Sequence, residues 1–390
     1  MKRVRFTWIC WLIAVWILIA LPCLASSCAP ATDADEESSP NETQQTTEDN
    51  QETTPDCEET TIPPEIEETT TPPETEETEV LYGMTQSQVD AAFADILDGI
   101  FTGKTAEIVT TTGIGAEFHL HFPDITYHNG QYWAYYITYR TASGKGGVGL
   151  AVSDDGLNWT DHGCVIQPDQ IYDSYGTYFA GVWLEDGIFY LVYECKGAPN
   201  TPYTLENVAL AVSEDGIHWQ KKGIIVKRSG TGWQKANVGT PDLYKVGDTW
   251  YVTYHGFDYV DCVVGIAYGT DLMNLKVVTN KPIIKTSSGT PYSGTIGRRD
   301  IIYCDGYYYM VFEISTDQVN GNYNGSQWSH MFARSTDMFS WELCSGPLIT
   351  QATAGMGYDG PCWMVVDNEL YVYVRDRDNS TTAIKLVPKA

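Results

Sequence analysis

Asp124, Asp242 and Asp300 stand at the same place in a unit that recurs about every sixty residues. Each leads to an aromatic pair that starts eight residues later: Tyr132-Trp133, Trp250-Tyr251 and Tyr308-Tyr309. The other two copies carry Gly181 and Cys362 at that place. Five residues after the start of each pair comes a second set: Ile137, Glu194, His255, Glu313 and Arg375. Seven of these ten positions are acidic, basic or His, in segments otherwise rich in apolar and aromatic residues. Charges are seldom placed at core-facing positions unless they are paired or functional. Crowded carboxylates separate their proton affinities, so one stays protonated while another is ionised. Such a pair could act as acid and base.

The elements that position these groups follow from the repeat. Its five copies begin at Pro123, Ala180, Pro241, Arg299 and Pro361. A fixed internal period means one supersecondary unit used repeatedly. Asn129-Gly130, Asp186-Gly187 and Asp305-Gly306 are hairpin turns between a first and a second strand. A third strand ends in another recurring turn, Ser153-Asp154-Asp155-Gly156-Leu157-Asn158-Trp159 and Ser213-Glu214-Asp215-Gly216-Ile217-His218-Trp219, with weaker copies at Gly269 and Ser335. Five units of about four strands predict an all-β, five-bladed propeller over 105–390. The last unit ends at its third strand, so a segment near Ala106–Thr110 is expected to supply the fourth and close the ring. Both sets of positions then line one funnel on the axis.

Ahead of the propeller, Val89, Ala92, Phe93, Ile96, Leu97 and Ile100 make one apolar face of a helix within 82–104, capped by Thr85 or Ser87. Residues 29–80 hold no Lys or Arg and are dominated by Thr, Glu and Pro, the composition of a disordered, self-repelling tether. Lys2, Arg3 and Arg5 before an apolar run to Ala20 read as an export signal. Leu24-Ala25-Ser26-Ser27-Cys28 resembles a lipoprotein cleavage site, which predicts a signal segment over 1–28, lipidation of Cys28 and a cell-surface position. Ordinary cleavage and secretion is the alternative. The net charge of −28 and the lack of a basic stripe argue against nucleic acid as a partner. The cysteines show no CxxC spacing, so a zinc site is not expected. A monomer is expected.

Clustered carboxylates beside Arg, His and aromatic rings suit carbohydrate, and breaking a glycosidic bond usually needs one protonated and one ionised carboxyl. The repeats resemble the five-bladed propeller glycosidases around glycoside hydrolase family 43, with families 32 and 117 as relatives. The resemblance rests on Phe122-Pro123-Asp124-Ile125, on Gly239-Thr240-Pro241-Asp242-Leu243 with Tyr254-His255-Gly256, and on the Ser-x-Asp-Gly-x-x-Trp turns. It implies that Asp124 is the general base and that Asp242 tunes the acid. The family's acid is a Glu, whereas the matching position here is Asp300, so Asp300, Glu313 and Glu194 all stand as candidates. His121, Arg299, His255, Arg375, Trp183 and Asp359 are expected to hold the sugar. The resemblance also implies exo-action and inversion on a plant or microbial polysaccharide, with no cofactor required; the funnel could take a calcium ion. The missing Glu leaves a second reading, a surface propeller that binds glycans without turning them over.

Overall fold

The computed structural model describes residues 79–285, 295–315, 318–319, 322–323, 328–350, 358–376 and 380–390. The expected signal segment, Cys28 and the tether up to residue 78 lie outside them.

Five antiparallel sheets follow one another along the chain. Blade 1 comprises His121–His128, Gln131–Thr138, Gly147–Ser153 and Thr160–Ile166. Blade 2 comprises Gly176–Glu185, Ile188–Lys196, Asn207–Ser213 and Gln220–Val226. Blade 3 runs from Asn237–Val246 through Thr249–Phe257 and Cys262–Gly269 to the short Lys276–Val277. Blade 4 holds Ile296–Cys304, Tyr307–Ser315 and Trp328–Ser335, with Glu342–Leu343 and Ile349–Thr350 on its outer edge. Blade 5 takes Asp359–Val366, Glu369–Arg375 and Thr381–Pro388 from the end of the chain. Its outer strand is Thr105–Ile114, paired with Thr381–Pro388. The ring is therefore closed by both ends of the propeller sequence, as expected. The radial arrangement leaves only short, protected outer edges.

The turns explain why the hairpins form where they do. Asn129-Gly130, Asp186-Gly187, Asp305-Gly306 and Asp367-Asn368 all have positive φ at both residues. That geometry matches the twist of the flanking strands and favours Asn, Asp and Gly. The Ser-x-Asp turns serve the seams between blades. Trp159, Trp219 and Trp341 each donate an indole N–H to the carbonyl three residues back, at 2.9–3.1 Å. Trp159 packs with Met364 and Tyr373 of blade 5, Trp219 with Tyr135 of blade 1, and Phe339, in the same turn as Trp341, with Tyr251 of blade 3. Among the described residues no such turn packs at the seam between blades 4 and 5. There helix α1, Gln86–Thr102, lays Val89, Phe93, Leu97 and Ile100 into the cluster that also holds Tyr309, Ile384 and Leu386. At the seam between blades 2 and 3 the turn carries Leu275 in place of Trp, and a groove of about 390 Å³ lies between Tyr190, Val212, Trp250 and Leu272.

Each inner strand also breaks register near its start, between His121 and Asp124, Tyr178 and Ala180, Gly239 and Asp242, Ile296 and Arg299, and Asp359 and Cys362. Phe122, Phe179, Thr240 and Gly360 have φ of 53, 45, 39 and 61 at these bulges. Such backbone is strained for Phe and more so for β-branched Thr. The bulges turn the following residue towards the axis and leave backbone N–H groups to be satisfied by side chains.

Candidate active site

Two tiers of ionisable groups surround the axis. The inner strands carry the first. Asp124 is 5 % exposed, Asp242 is 4 % exposed, and Asp300 is partly exposed. A carboxyl oxygen of Asp124, one of Asp300 and the thiol of Cys362 lie within 4.8 Å of one another. Asp124 accepts the Val182 N–H at 2.6 Å and pairs through its other oxygen with the Arg298 guanidinium. Asp300 accepts the N–H groups of Ile301 and Trp363, each at 2.7 Å. Burial, and then repulsion from Asp124, pushes the Asp300 carboxyl up to about 7. Burial also raises Asp124, but Arg298 and the Val182 N–H oppose it. Asp242 is raised well above the ordinary range by burial and by Asp300 and Asp124. Its Oδ1 accepts the Leu243 N–H, while its buried Oδ2 has no partner among the described residues. The three aspartates therefore meet, and their environments divide them into an arginine-paired carboxylate and two that favour the proton.

Arg298 is the group that organises this tier. It is fully buried and donates to the carbonyls of Pro123, Ala180 and Pro241 on blades 1, 2 and 3, besides Asp124. Those carbonyls immediately precede Asp124, Gly181 and Asp242. One guanidinium thus ties three inner strands at the level of the acids. The sequence signal was an Arg-Arg pair inside an inner strand, which reads as a mouth residue until the register break at 296–299 is known.

The second strands, together with the strand starts at His121 and Asp359, carry the upper tier. Glu194 accepts the Thr240 N–H at 2.9 Å, across the seam between blades 2 and 3. Glu313 accepts the Arg298 N–H at 2.7 Å and the Gly360 N–H at 2.6 Å. A Cβ on Gly239 or Gly297 would fall 1.9 Å from these carboxylates, so glycine is required for them to reach the bulges. Burial, and next Glu206, pushes Glu194 up to about 8; burial, and next Asp359, pushes Glu313 up to about 7. Arg375 pairs with Asp359 and lies 4.5 Å from the centre of the Phe122 ring. Phe122 in turn meets Phe179 edge-on at 5.0 Å. His121 stands 5.6 Å from His119 and is held down to about 4 by burial and Arg375. His255 is pushed to about 3 by burial and then Arg299, so it is neutral. Asn237 Oδ1 faces its Nε2 at 3.1 Å, which places the proton there and leaves Nδ1 to accept from the Thr240 hydroxyl at 2.9 Å.

Two of the expected sugar contacts are placed elsewhere. Arg299 is fully buried, and its donors go to Thr240 O, Thr240 Oγ1 and Gly297 O at 2.6–3.0 Å. It braces two bulges because the carbonyls they expose need donors. Trp183 meets Tyr244 edge-on at 5.1 Å within the packing between blades 2 and 3. An inner-strand aromatic serves a seam whenever its alternation points sideways. His121, His255, Arg375 and Asp359 stand in the upper tier.

A calcium ion fits the axial cluster poorly. It takes 6–8 oxygen ligands. Here one ligand is a thiol, the carboxylate oxygens already accept N–H donors, and Arg298 brings its own positive charge to Asp124. The six described cysteines, Cys164, Cys195, Cys262, Cys304, Cys344 and Cys362, are all unpaired thiols.

Comparison with known proteins agrees with this architecture. Residues 123–271 match the glycosyl hydrolases family 32 N-terminal domain. The chain resembles the propeller glycoside hydrolases. Sucrose-6-phosphate hydrolase of Escherichia coli is 27% identical over 135 residues, which are 33% of this chain and 28% of that protein. The Bacillus subtilis (strain 168) sucrose-6-phosphate hydrolase is 25% identical over 138 residues, 35% of this chain and 25% of that protein. The matched region thus spans about a quarter of these curated relatives. Among solved structures, a thermostable family-43 glycoside hydrolase superposes with a TM-score of 0.53 at 15% identity, covering 72% of this chain and 91% of the other. An exo-1,5-alpha-L-arabinanase from a bovine ruminal metagenomic library gives 0.52 at 17%, covering 68% and 93%. At these identities the likeness establishes the shared propeller fold.

Proposed function

We propose that the protein is a glycoside hydrolase in which Asp300 is the proton donor and Asp124 the ionised partner. One observation carries this reading: two carboxyls within 4.8 Å, one held by a guanidinium and the other pushed up to about 7. Asp124 raises the Asp300 carboxyl further, and Asp242, itself raised well above the ordinary range, stands beside the pair as a buried carboxyl that favours its own proton. Sugar contacts then fall to the upper tier, with His121, His255 and the Asp359–Arg375 pair beside Phe122 and Phe179.

Separation bears on stereochemistry. Inversion, expected from the family 43 resemblance, uses carboxyls about 6.5–9.5 Å apart, and retention about 5–5.5 Å. The Asp124–Asp300 pair is closer to the second, so retention follows if these two act together. Inversion requires a more distant acid, Glu313 or Glu194. Action at chain ends of a plant or microbial polysaccharide, and a cell-surface position through a lipid on Cys28, belong to the same proposal; they rest on the family resemblance and the signal-like N-terminus.

Glycan binding without turnover is the second reading. It is favoured by the engagement of both Asp124 oxygens with Val182 and Arg298. Incubation with aryl glycosides and plant oligosaccharides separates the two. The first reading expects turnover that Asp124→Asn and Asp300→Asn each reduce by about 10²–10⁴-fold, with the product anomer read by NMR. Oligosaccharide binding by calorimetry with no product from any substrate would establish the second.

A further inference from the structure

Tyr82 belongs to no repeat. It sits in the turn between Glu79–Leu81 and Met84–Thr85, just ahead of α1, with φ of 48. Its ring nevertheless reaches the axis, 5.7 Å from the Tyr132 ring and 6.5 Å from that of Tyr127. Its hydroxyl lies 2.8 Å from Trp363 O and 3.1 Å from Ile125 O. Both carbonyls are one residue beyond the axial ring, next to Cys362 and Asp124. Trp363 is shared: its N–H donates to Asp300 Oδ2, and its carbonyl, on the next peptide unit, is within reach of Tyr82. The phenol is raised well above its ordinary value, chiefly by its low-dielectric surroundings, so it is a neutral donor.

We propose that Tyr82 is a positioning residue for the axial carboxyl pair, a peg that closes the throat beside Ile125 and Trp363 and holds the residue whose N–H orients Asp300. The inference rests on the glycoside hydrolase reading for its catalytic consequence but not for its geometry. Strand ends alone leave the axis of a propeller open. A residue from outside the repeat fills that space without disturbing the blades. A ring there keeps water from the Asp300 carboxyl and maintains its proton. Groups facing Asp300 are Asp124 of blade 1, Asp242 and Tyr244 of blade 3, Arg298 of its own strand, Cys362 of blade 5, and Tyr82 itself. Removing the ring changes hydration while leaving those charges in place.

The test compares the wild-type protein with Tyr82→Ala, Tyr82→Leu and Tyr82→Phe. Two readouts are taken: the pH profile of hydrolysis, and the ¹³C titration of the Asp300 carboxyl, assigned by its loss in Asp300→Asn. Tyr82→Ala is expected to move both the alkaline limb and the titration down by about one unit or more, as water reaches the carboxyl, with kcat reduced more than KM is raised. Tyr82→Phe keeps the ring and is expected to keep the titration. Should Tyr82→Ala fail to fold, Tyr82→Leu makes the same comparison. Superimposable profiles and titrations for wild type and the variant that lacks the ring would overturn the proposal. If the wild type hydrolyses nothing, the functional reading fails, and the titration alone still decides: a downward shift upholds the peg and no shift refutes it.

Discussion

The axial tier and the upper tier use the same residue chemistry for different ends. Glu194 and Glu313 are buried carboxyls with raised proton affinity, and the partly exposed Asp300 is raised as well. Yet Glu313 spends both oxygens on backbone N–H groups of two bulges, and Glu194 spends one on the next blade. Each crosses a seam and satisfies a donor that a register break left unpaired. In the axial tier two carboxyls face one another, and the Arg298 guanidinium pairs with one of them, Asp124. Burial alone therefore does not mark a catalytic acid. Asp300 likewise spends its oxygens on the N–H groups of Ile301 and Trp363, so what sets it apart is the Asp124 carboxyl oxygen and the Cys362 thiol within 4.8 Å.

The largest effect expected from this contrast is at Asp124. Asp124→Ala leaves Arg298 charged and unpaired in the core, which costs about 3–5 kcal/mol, and abolishes turnover. Urea denaturation and a hydrolysis assay check both, and a stable, active variant would erase the difference between the tiers. Next comes Glu313→Gln. An amide can accept at one end only, so one bulge N–H loses its acceptor, at a cost of about 1.5–3 kcal/mol. The same denaturation series should show it, and hydrolysis by the folded variant should persist if Glu313 is a brace. Loss of hydrolysis without loss of stability would move the acid to the upper tier.

Stability against pH gives a smaller, shared signature. Asp300 and Glu313 are pushed up to about 7 and Glu194 to about 8, each above its unfolded value near 4. Between those limits the folded chain holds protons that the unfolded chain has released. Their contribution is complete below about pH 4, declines as pH rises through 7 to 8, and is gone beyond. Thermal midpoints should fall over that window, less so in Asp300→Asn, and a midpoint that rises from pH 5 to 8 would contradict the assignment. The smallest effect is expected away from both tiers. Leu275→Trp, placed at the groove between blades 2 and 3, should add about 0.5–2 kcal/mol and leave the pH dependence unchanged. A changed pH dependence would show that the blades transmit charge effects that the two tiers do not contain.

Much of the architecture was legible in the chain because it is local and repeated. Asn129-Gly130 and Asp305-Gly306 take up φ values that few other residues tolerate. The meeting of Asp124, Asp242 and Asp300 was legible for the same reason, since equal places in five blades converge on one axis. Arg298, Arg299 and Trp183 were not. A bulge shifts register by one residue and exchanges axis for seam, and no composition rule locates the bulge.

The repeat period, the turn residues and the alternation of aromatic strands determined a five-bladed ring and which side chains would look inward. They did so because each depends on neighbours within a few residues or on exact repetition. Tertiary structure alone decided that Arg298 pairs with Asp124 and not with Asp242 or Asp300, and that Tyr82 fills the axis. Those outcomes depend on how five sheets tilt against each other, which sets distances between residues more than a hundred positions apart, and electrostatic energy in a dry throat changes steeply with such distances.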